Sequence, residues 1–328
     1  MKFDLEKLGK GRIAVIGDFC LDVYWHADMT KSELSRETPH FPLPVVSERL
    51  SPGGAGNVVM NLLALAPKSV AAIGVFGNDW RGIALRTLLK EAGADISGIV
   101  TDPARMTNTY IKPLRQGYAE NVVYEDPRLD FTNYDALGAE SEKRLLSALN
   151  RTAKKCDVIC VCDQMPFGCI TPAIRSRLIE LGRAGHTVIV DSRDRIALYT
   201  DVIVKPNEIE SARAFEDKIP PTEFAKLAAA LEERTGLPAI VTAGDKGCYV
   251  SEKGRVTHVN ARRVTGEIDF CGAGDTFLSG LAASTAGGFS LTDAARIACC
   301  ASSVTIKKLK TTGTADREEL ASALKGYK

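Results

Sequence analysis

Two glycine-rich runs hold the residues best suited to chemistry. In Asp269-Phe-Cys-Gly-Ala-Gly-Asp275-Thr-Phe an apolar stretch follows, so Gly272, Ala273 and Gly274 would offer successive backbone N–H groups at a helix N-terminus, where the dipole favours an anion. Asp275 stands directly beside that anion site. A carboxylate there repels a phosphate that is merely bound. In phosphoryl transfer the same carboxylate takes the proton from an attacking hydroxyl while the amides neutralise charge on the transferred group. The other reading is an acidic residue in the first turn of a helix, which the same dipole favours, and the spacing leaves both open. Ser51-Pro-Gly53-Gly54-Ala-Gly-Asn57 is the second run: its backbone can approach a ligand and Asn57 can turn its amide inward, or it is a turn followed by a helix cap.

The elements that must position these residues alternate between short apolar runs and helical stretches, the pattern of a mostly parallel sheet with crossover helices. Strands are expected at 12–17, 70–76, 96–100, 158–162, 187–191, 202–206 and 239–242, with a hairpin at 249–250 and 256–259. Helices are expected at about 56–66, 80–92, 135–149, 171–184 with Pro172 in the first turn, from Asn207, 222–235, 274–286, 291–307 and 316–324. Residues 20–48 and 105–126 break the rhythm: they are polar-aromatic, alternating and proline-containing, which suggests strands outside the main sheet, either a lid over a site or a surface hairpin. Exposed edges bearing Val45, Val46, Val122 and Val123 would be open to pairing, so a homodimer through these strands is expected.

Composition narrows the function classes. The chain has 328 residues, 45% of them apolar and 25% charged, and 42 Lys+Arg against 41 Asp+Glu leave a net charge of +1. No global field collects nucleic acid or anionic lipid, and no apolar run nears the roughly 18 residues of a membrane span. A cytoplasmic enzyme with small-molecule partners is the expectation. Nine cysteines are an odd number, most lie in apolar runs, and the four histidines are scattered, so reduced buried thiols are expected rather than disulfides or structural zinc. There is no GxxxxGK[ST] loop, no complete GxGxxG after a strand, and no protein-kinase HRD or DFG signature.

The chain resembles the ribokinase (PfkB) family of carbohydrate kinases, whose two signatures match Gly53-Gly-Ala-Gly-Asn57 and Asp269-Phe-Cys-Gly-Ala-Gly-Asp275-Thr-Phe. Three further matches occur in the family's order: Gly17-Asp18-Phe-Cys-Leu-Asp22, Lys205-Pro-Asn207-Glu-Ile-Glu210 and Val241-Thr242-Ala-Gly244-Asp-Lys-Gly247. The resemblance implies one ribokinase-like domain over residues 1–328, a mostly parallel central sheet flanked by helices on both faces, with a small β lid from the segments at about 20–48 and 105–126. It also implies an ATP-dependent sugar kinase with Mg²⁺, and allows a monovalent cation.

Site roles follow from the same resemblance. Asp275 would be the base and Gly272, Ala273 and Gly274 the anion hole; Asp22, Gly53, Gly54 and Asn57 would hold the sugar. Asn207, Thr242, Gly244 and Gly247 would lie toward ATP, and Asn207 and Glu210 would order Mg²⁺ through water. Within the family, Ser35-Arg-Glu-Thr-Pro39, Pro127-Arg-Leu-Asp-Phe131 and residues 308–315 are similar to the heptose 7-phosphate kinases, implying heptose 7-phosphate to heptose 1,7-bisphosphate as the reaction. The nucleotidyltransferase domain fused to many such kinases is not expected in this chain. Two segments depart from those kinases: Asp163-Gln-Met-Pro-Phe-Gly168 lacks the usual lysine, and Asp191-Ser-Arg193 replaces Asp-Pro-Lys. A phosphate on the sugar needs cations, for which Arg36, Arg105, Lys112, Arg115 and Arg193 are available, with Arg36 and Arg193 the first choices. The alternatives are a family kinase for an unphosphorylated ketose, pentose or nucleoside, and a sugar- or nucleotide-binding protein on the same fold without turnover.

Overall fold

The computed structural model describes residues 3–117, 122–309 and 312–327. Along the chain come β1 (Arg12–Gly17), β2 (Phe19–Asp28), β3 (Val45–Gly54), α1 (Ala55–Ala64), β4 (Ser69–Gly77), α2 (Trp80–Glu91), β5 (Asp95–Asp102), β6 (Thr109–Gln116), β7 (Val123–Glu125), β8 (Leu129–Phe131), α3 (Ala139–Ala153) and β9 (Val158–Asp163). Then follow α4 (Pro172–Arg183), β10 (Thr187–Ser192), β11 (Ile203–Val204), α5 (Glu208–Arg213), α6 (Phe224–Thr235), β12 (Ala239–Thr242), β13 (Cys248–Glu252), β14 (Arg255–Val259), α7 (Ala273–Ala286), α8 (Leu291–Thr305) and α9 (Arg317–Leu324).

Continuous apolar runs become the strands of a nine-stranded sheet in the order β14-β13-β12-β11-β10-β9-β1-β4-β5, parallel from β5 to β12 and closed by the antiparallel β13 and β14. Every residue of β9 is buried because helices cover both faces. Period-two alternation sorts the side chains: Ile13, Val15 and Cys160 join the core under α1, α7 and α8, whereas Ala14, Ile16 and Val161 join the one under α3, α4 and α6. Among the described residues no helix is long and apolar enough to cross a membrane.

The two irregular segments supply a second, five-stranded sheet in the order β3-β2-β6-β7, with β8 also paired to β6. Only Asp18 separates β1 from β2, so the chain passes from one sheet into the other at a single residue. Asp18 is buried there and accepts N–H groups of Gln164 (2.9 Å), Met165 (2.8 Å) and Cys169 (2.8 Å), while its carbonyl accepts from Ala55 N at the start of α1 (3.0 Å).

Some boundaries differ from expectation. The Gly53-Gly54 pair ends strand β3 rather than forming a free loop, and Gly54 takes φ +57°, where a Cβ would come 2.5 Å from the Asp18 carbonyl. Within 20–48, residues 32–44 form no strand, since Pro39, Pro42 and Pro44 remove donors a ladder needs. Helix α3 starts at Ala139 instead of near 135, because Leu137 is buried and the Asp135 carbonyl accepts from Arg105 Nη1 (3.0 Å), holding that stretch extended. Residues 118–121 of the second segment, and Lys310 and Thr311 of the segment 308–315, lie outside the described residues.

Helix α7 carries the second glycine-rich run at its start and is anchored by fully buried Leu278 and Leu281. Leu281→Ala should therefore cost about 2–5 kcal/mol of unfolding free energy in urea. A loss under about 1 kcal/mol would mean that the helix relaxes into the space.

Candidate active site

The start of α7 is shaped by glycine chemistry. Gly272 takes φ +78°, and a Cβ there would lie 2.6 Å from Asn57 Nδ2. The Cys271 N–H donates to Asp269 Oδ1 (2.9 Å) and the Ala273 N–H to Phe270 O (3.1 Å), so the amide run expected at Gly272–Gly274 is partly used inside its own turn. Cys271 is exposed in this loop, unlike the buried thiols expected.

Asp275 lies in the first turn of α7 and accepts Asn57 Nδ2 at 2.7 Å. Burial pushes its carboxyl up to about 6; the Asn57 bond opposes the rise, Asp191 and Asp22 add to it, and Lys205 counters them. Asn57 is itself fixed by Asn61, one helical turn on in α1, whose Nδ2 donates to Asn57 Oδ1 (3.1 Å) and whose Oδ1 accepts from Thr276 Oγ1 (2.9 Å). The chain Thr276–Asn61–Asn57–Asp275 thus clasps α1 to α7 and aims the Asn57 amide at the carboxylate. Sequence reasoning missed Asn61 and Thr276; their only signal was the i, i+4 spacing of the two asparagines on α1.

The second sheet turns one face to this carboxylate. Its cross-strand rows are Ser51–Asp22–Tyr110–Asp130 and Arg49–Tyr24–Lys112, while Leu21, Val23 and Ile111 on the other face are buried in the core. Gly53 permits the crowding, since a Cβ there would lie 2.5 Å from Asp22 Oδ2. Burial raises the Asp22 carboxyl, and Lys112, Arg128 and Arg49 pull it back down. Lys112 Nζ is 3.5 Å from the Tyr24 hydroxyl, Arg49 stacks 3.9 Å from the Tyr24 ring centroid, and Arg128 lies 4.4 Å from that of Tyr110. Arg49 and Arg128 were not among the expected cations, because strand register alone brings them here.

On the opposite side, Asn207 caps α5. Its Oδ1 accepts from Ile209 N (3.0 Å) and Glu210 N (2.8 Å), and Glu210 Oε2 accepts from Asn207 N (2.8 Å), a reciprocal capping box. The spacing read as a metal motif is thus also a helix start, and the occupied Asn207 oxygen leaves its NH₂ to face a ligand. Lys205, buried at the end of β11, sits 2.9 Å from Asp191 Oδ2. Glu210 is pushed up to about 7 by burial and then by Asp191, with Lys205, the Asn207 N–H and Arg193 opposing. Such a carboxylate gains from a divalent cation. With no three His, Cys, Asp or Glu side chains grouped among the described residues, the other ligands of an ion at Glu210 would be water and phosphate oxygens. Thr242 bridges to Asn207 and donates its N–H to Pro206 O (3.0 Å). Gly244 and Gly247 have φ +55° and +88°, and at Gly247 a side chain would strike the backbone after β14.

Asp275 lies between the two groups and feels charge from both. Arg193, just past β10, is exposed, and its charge favours the ionised forms of Glu210 and Tyr110. Arg36 is not brought to the others: it is exposed in 32–44 and makes none of the contacts above among the described residues. Arg105 donates to Asp135 O and Phe167 O, and Arg115 pairs with Asp126 (2.8 Å), so both are committed elsewhere.

The family model described as pfkB family carbohydrate kinase matches residues 11–317. A bifunctional protein HldE from Geobacter sulfurreducens is 32% identical over 316 residues, 94% of this chain and 62% of that protein. One from Citrifermentans bemidjiense is 33% identical over 331 residues, 98% of this chain and 65% of that protein. The chain spans less than two thirds of the length of these curated relatives. Among solved structures, phosphofructokinase-2 from Escherichia coli in complex with potassium superposes with a TM-score of 0.73 over 95% of this chain and 98% of that one, at 18% identity, a likeness of fold.

Because the Asn57 amide lowers the Asp275 midpoint, Asn57→Leu should move it upward from about 6, read by ¹³C-carboxyl NMR titration. An unmoved midpoint would mean that burial and the neighbouring charges set it without the Asn57 bond.

Proposed function

The chain belongs to the pfkB family of ATP-dependent carbohydrate kinases and has a ribokinase-like α/β fold, and on that footing we propose that it phosphorylates a sugar phosphate, with D-glycero-D-manno-heptose 7-phosphate the first candidate, at the anomeric hydroxyl. The observation that carries this reading is the set of donors on the strand rows beside Asp22: Lys112, Arg49 and Arg128, the last held in a fork by Asp130, are the kinds of group that bind a phosphate. The segments that resemble heptose kinases support it from the sequence.

In the proposed reaction Asp22, Gly53, Gly54 and Asn57 orient the sugar. Asp275 takes the proton of the attacking hydroxyl as its oxygen bonds to the γ-phosphorus and the bond to ADP breaks. The helix start at Gly272, Ala273 and Gly274 stabilises charge on the moving phosphoryl group. The Asn207 amide, Thr242, Gly244 and Gly247 line the ATP side, and Glu210 and Asn207 would hold Mg²⁺ through water, where it would neutralise charge on the phosphates. The potassium of the phosphofructokinase-2 structure supports a monovalent cation as a further cofactor. Arg193 is the expected arginine best situated for the sugar's own phosphate, whereas Arg36 would have to reach it from its exposed loop. An ATP-consuming reaction on a small metabolite fits the cytoplasm, with no nucleic acid or membrane partner.

One observation favours a second reading, a kinase for an unphosphorylated ketose, pentose or nucleoside: two of the five cations considered, Arg105 and Arg115, bond elsewhere, and the segment Asp163–Gly168 lacks the lysine usual in the heptose kinases it resembles. An ADP-release assay across sugars and their phosphates separates the two. The heptose or another sugar phosphate should give the highest kcat/KM; free fructose, ribose or a nucleoside matching it would overturn the first reading.

Asp275→Asn should lower kcat by about 10²–10⁴-fold and spare the KM for ATP. Since only the ionised carboxylate accepts a proton, wild-type kcat/KM should fall as pH drops through about 6. Near-normal turnover in the variant would remove Asp275 from the chemistry and leave another group as the base.

A homodimer through the second sheet is proposed as well. Its edges β3 and β7 carry exposed Val45, Val46, Val123 and Tyr124, and Phe41 and Leu43 are exposed beside them. Sedimentation equilibrium should give a dimer that Val46→Lys weakens; a monomer at all concentrations would refute it.

A further inference from the structure

Strand register sets a distance between the group that would hold hydroxyls and a group that could hold an anion. Asp22 on β2, Tyr110 on β6 and Asp130 on β8 form one cross-strand row, so Asp22 and Asp130 are two strand spacings apart, about 10 Å. That is near the reach of a hexose or heptose ring from its reacting end to a phosphate on its terminal carbon. At the far end, Arg128 directs Nε and Nη2 to the two Asp130 oxygens (2.6 and 2.7 Å) and stacks over the Tyr110 ring at 4.4 Å. The fork to Asp130 and the ring beneath fix the guanidinium plane, and its remaining N–H donors stay accessible because the side chain is about half exposed, 46%.

Given the reading that the substrate is a sugar phosphate, on which this inference rests, we propose that Arg128 is the specificity-determining contact for the phosphate the sugar already carries. Asp130 and Tyr110 act as positioning residues that hold its guanidinium. A flexible lysine without that brace would hold the dianion less specifically, which is why the fork matters.

The test compares Arg128→Met, Arg128→Lys and Asp130→Asn with the wild type, using heptose 7-phosphate, fructose 6-phosphate and their unphosphorylated sugars. Arg128→Met should raise KM for the phosphorylated sugars about 10–100-fold, the loss of one charged hydrogen-bonding contact, while kcat, the KM for ATP and kinetics on the free sugars stay within about twofold. Arg128→Lys should recover part of the loss, and Asp130→Asn should raise KM by a smaller factor with kcat unchanged. An unchanged ATP KM also reports that the variants are folded. If the wild type prefers sugar phosphates and Arg128→Met keeps that preference, this inference is overturned and the proposed substrate class stands. If the wild type shows no preference for the phosphorylated sugars, the substrate class itself fails and the inference falls with it.

Discussion

A single buried carboxylate, Asp18, holds the point at which the chain leaves one sheet and enters the other. Its side chain gathers three N–H groups from the segment between β9 and α4, its carbonyl receives the first amide of α1, and its own N–H donates to Cys162 O at 3.0 Å. Three elements of distant sequence are thereby fixed around one residue. Burial outweighs these bonds and pushes the carboxyl up to about 6, so the residue is expensive to keep dry, and its return is orientation more than stability. Because Asp22 lies four residues beyond it and Asn57 three beyond Gly54, the strand that carries Asp22 and the clasp on Asp275 inherit their placement from this junction.

The charged groups of the site are arranged in pairs that each restrain a neighbour. Lys205 is bound to Asp191, and Asp163, wholly buried, receives Arg195, Ser192 Oγ (3.0 Å) and Tyr199 OH (2.9 Å). Satisfied in this way, the strand ends of β9 and β10 hold fixed charge beneath the site without an orphan ion. Asp275 differs: among the described residues its side chain is held by a neutral amide, that of Asn57, and burial gives it a raised affinity for a proton. That combination suits a base that must be ionised before reaction and protonated after it.

Several residues serve structure and site together. Asn207 and Glu210 close a capping box on a helix of only six residues, α5, and Gly53 exists where a methyl group would collide with Asp22. A motif read as chemistry and the same motif read as a turn or cap are not competitors here, since the cap is what aims the remaining polar atoms.

The sequence by itself determined the α/β alternation, the two glycine runs and the acidic residue after the second, because apolar periodicity and glycine at helix starts are local properties of a chain. It also marked 20–48 and 105–126 as strands of a separate kind through their alternation. The start of α3 escaped it, since Leu137 is buried by contacts that no neighbouring residue announces. Asn61, Arg49 and Arg128 escaped it for a deeper reason. Their meeting with Asn57, Tyr24 and Tyr110 depends on helix clasp and strand register, and register is set by which faces find the core, a condition satisfied only when β2, β3, β6 and β8 lie side by side. Local pattern says what each segment is; only the tertiary structure decides which polar faces confront one another, because that choice is made by burying the opposite, apolar faces together.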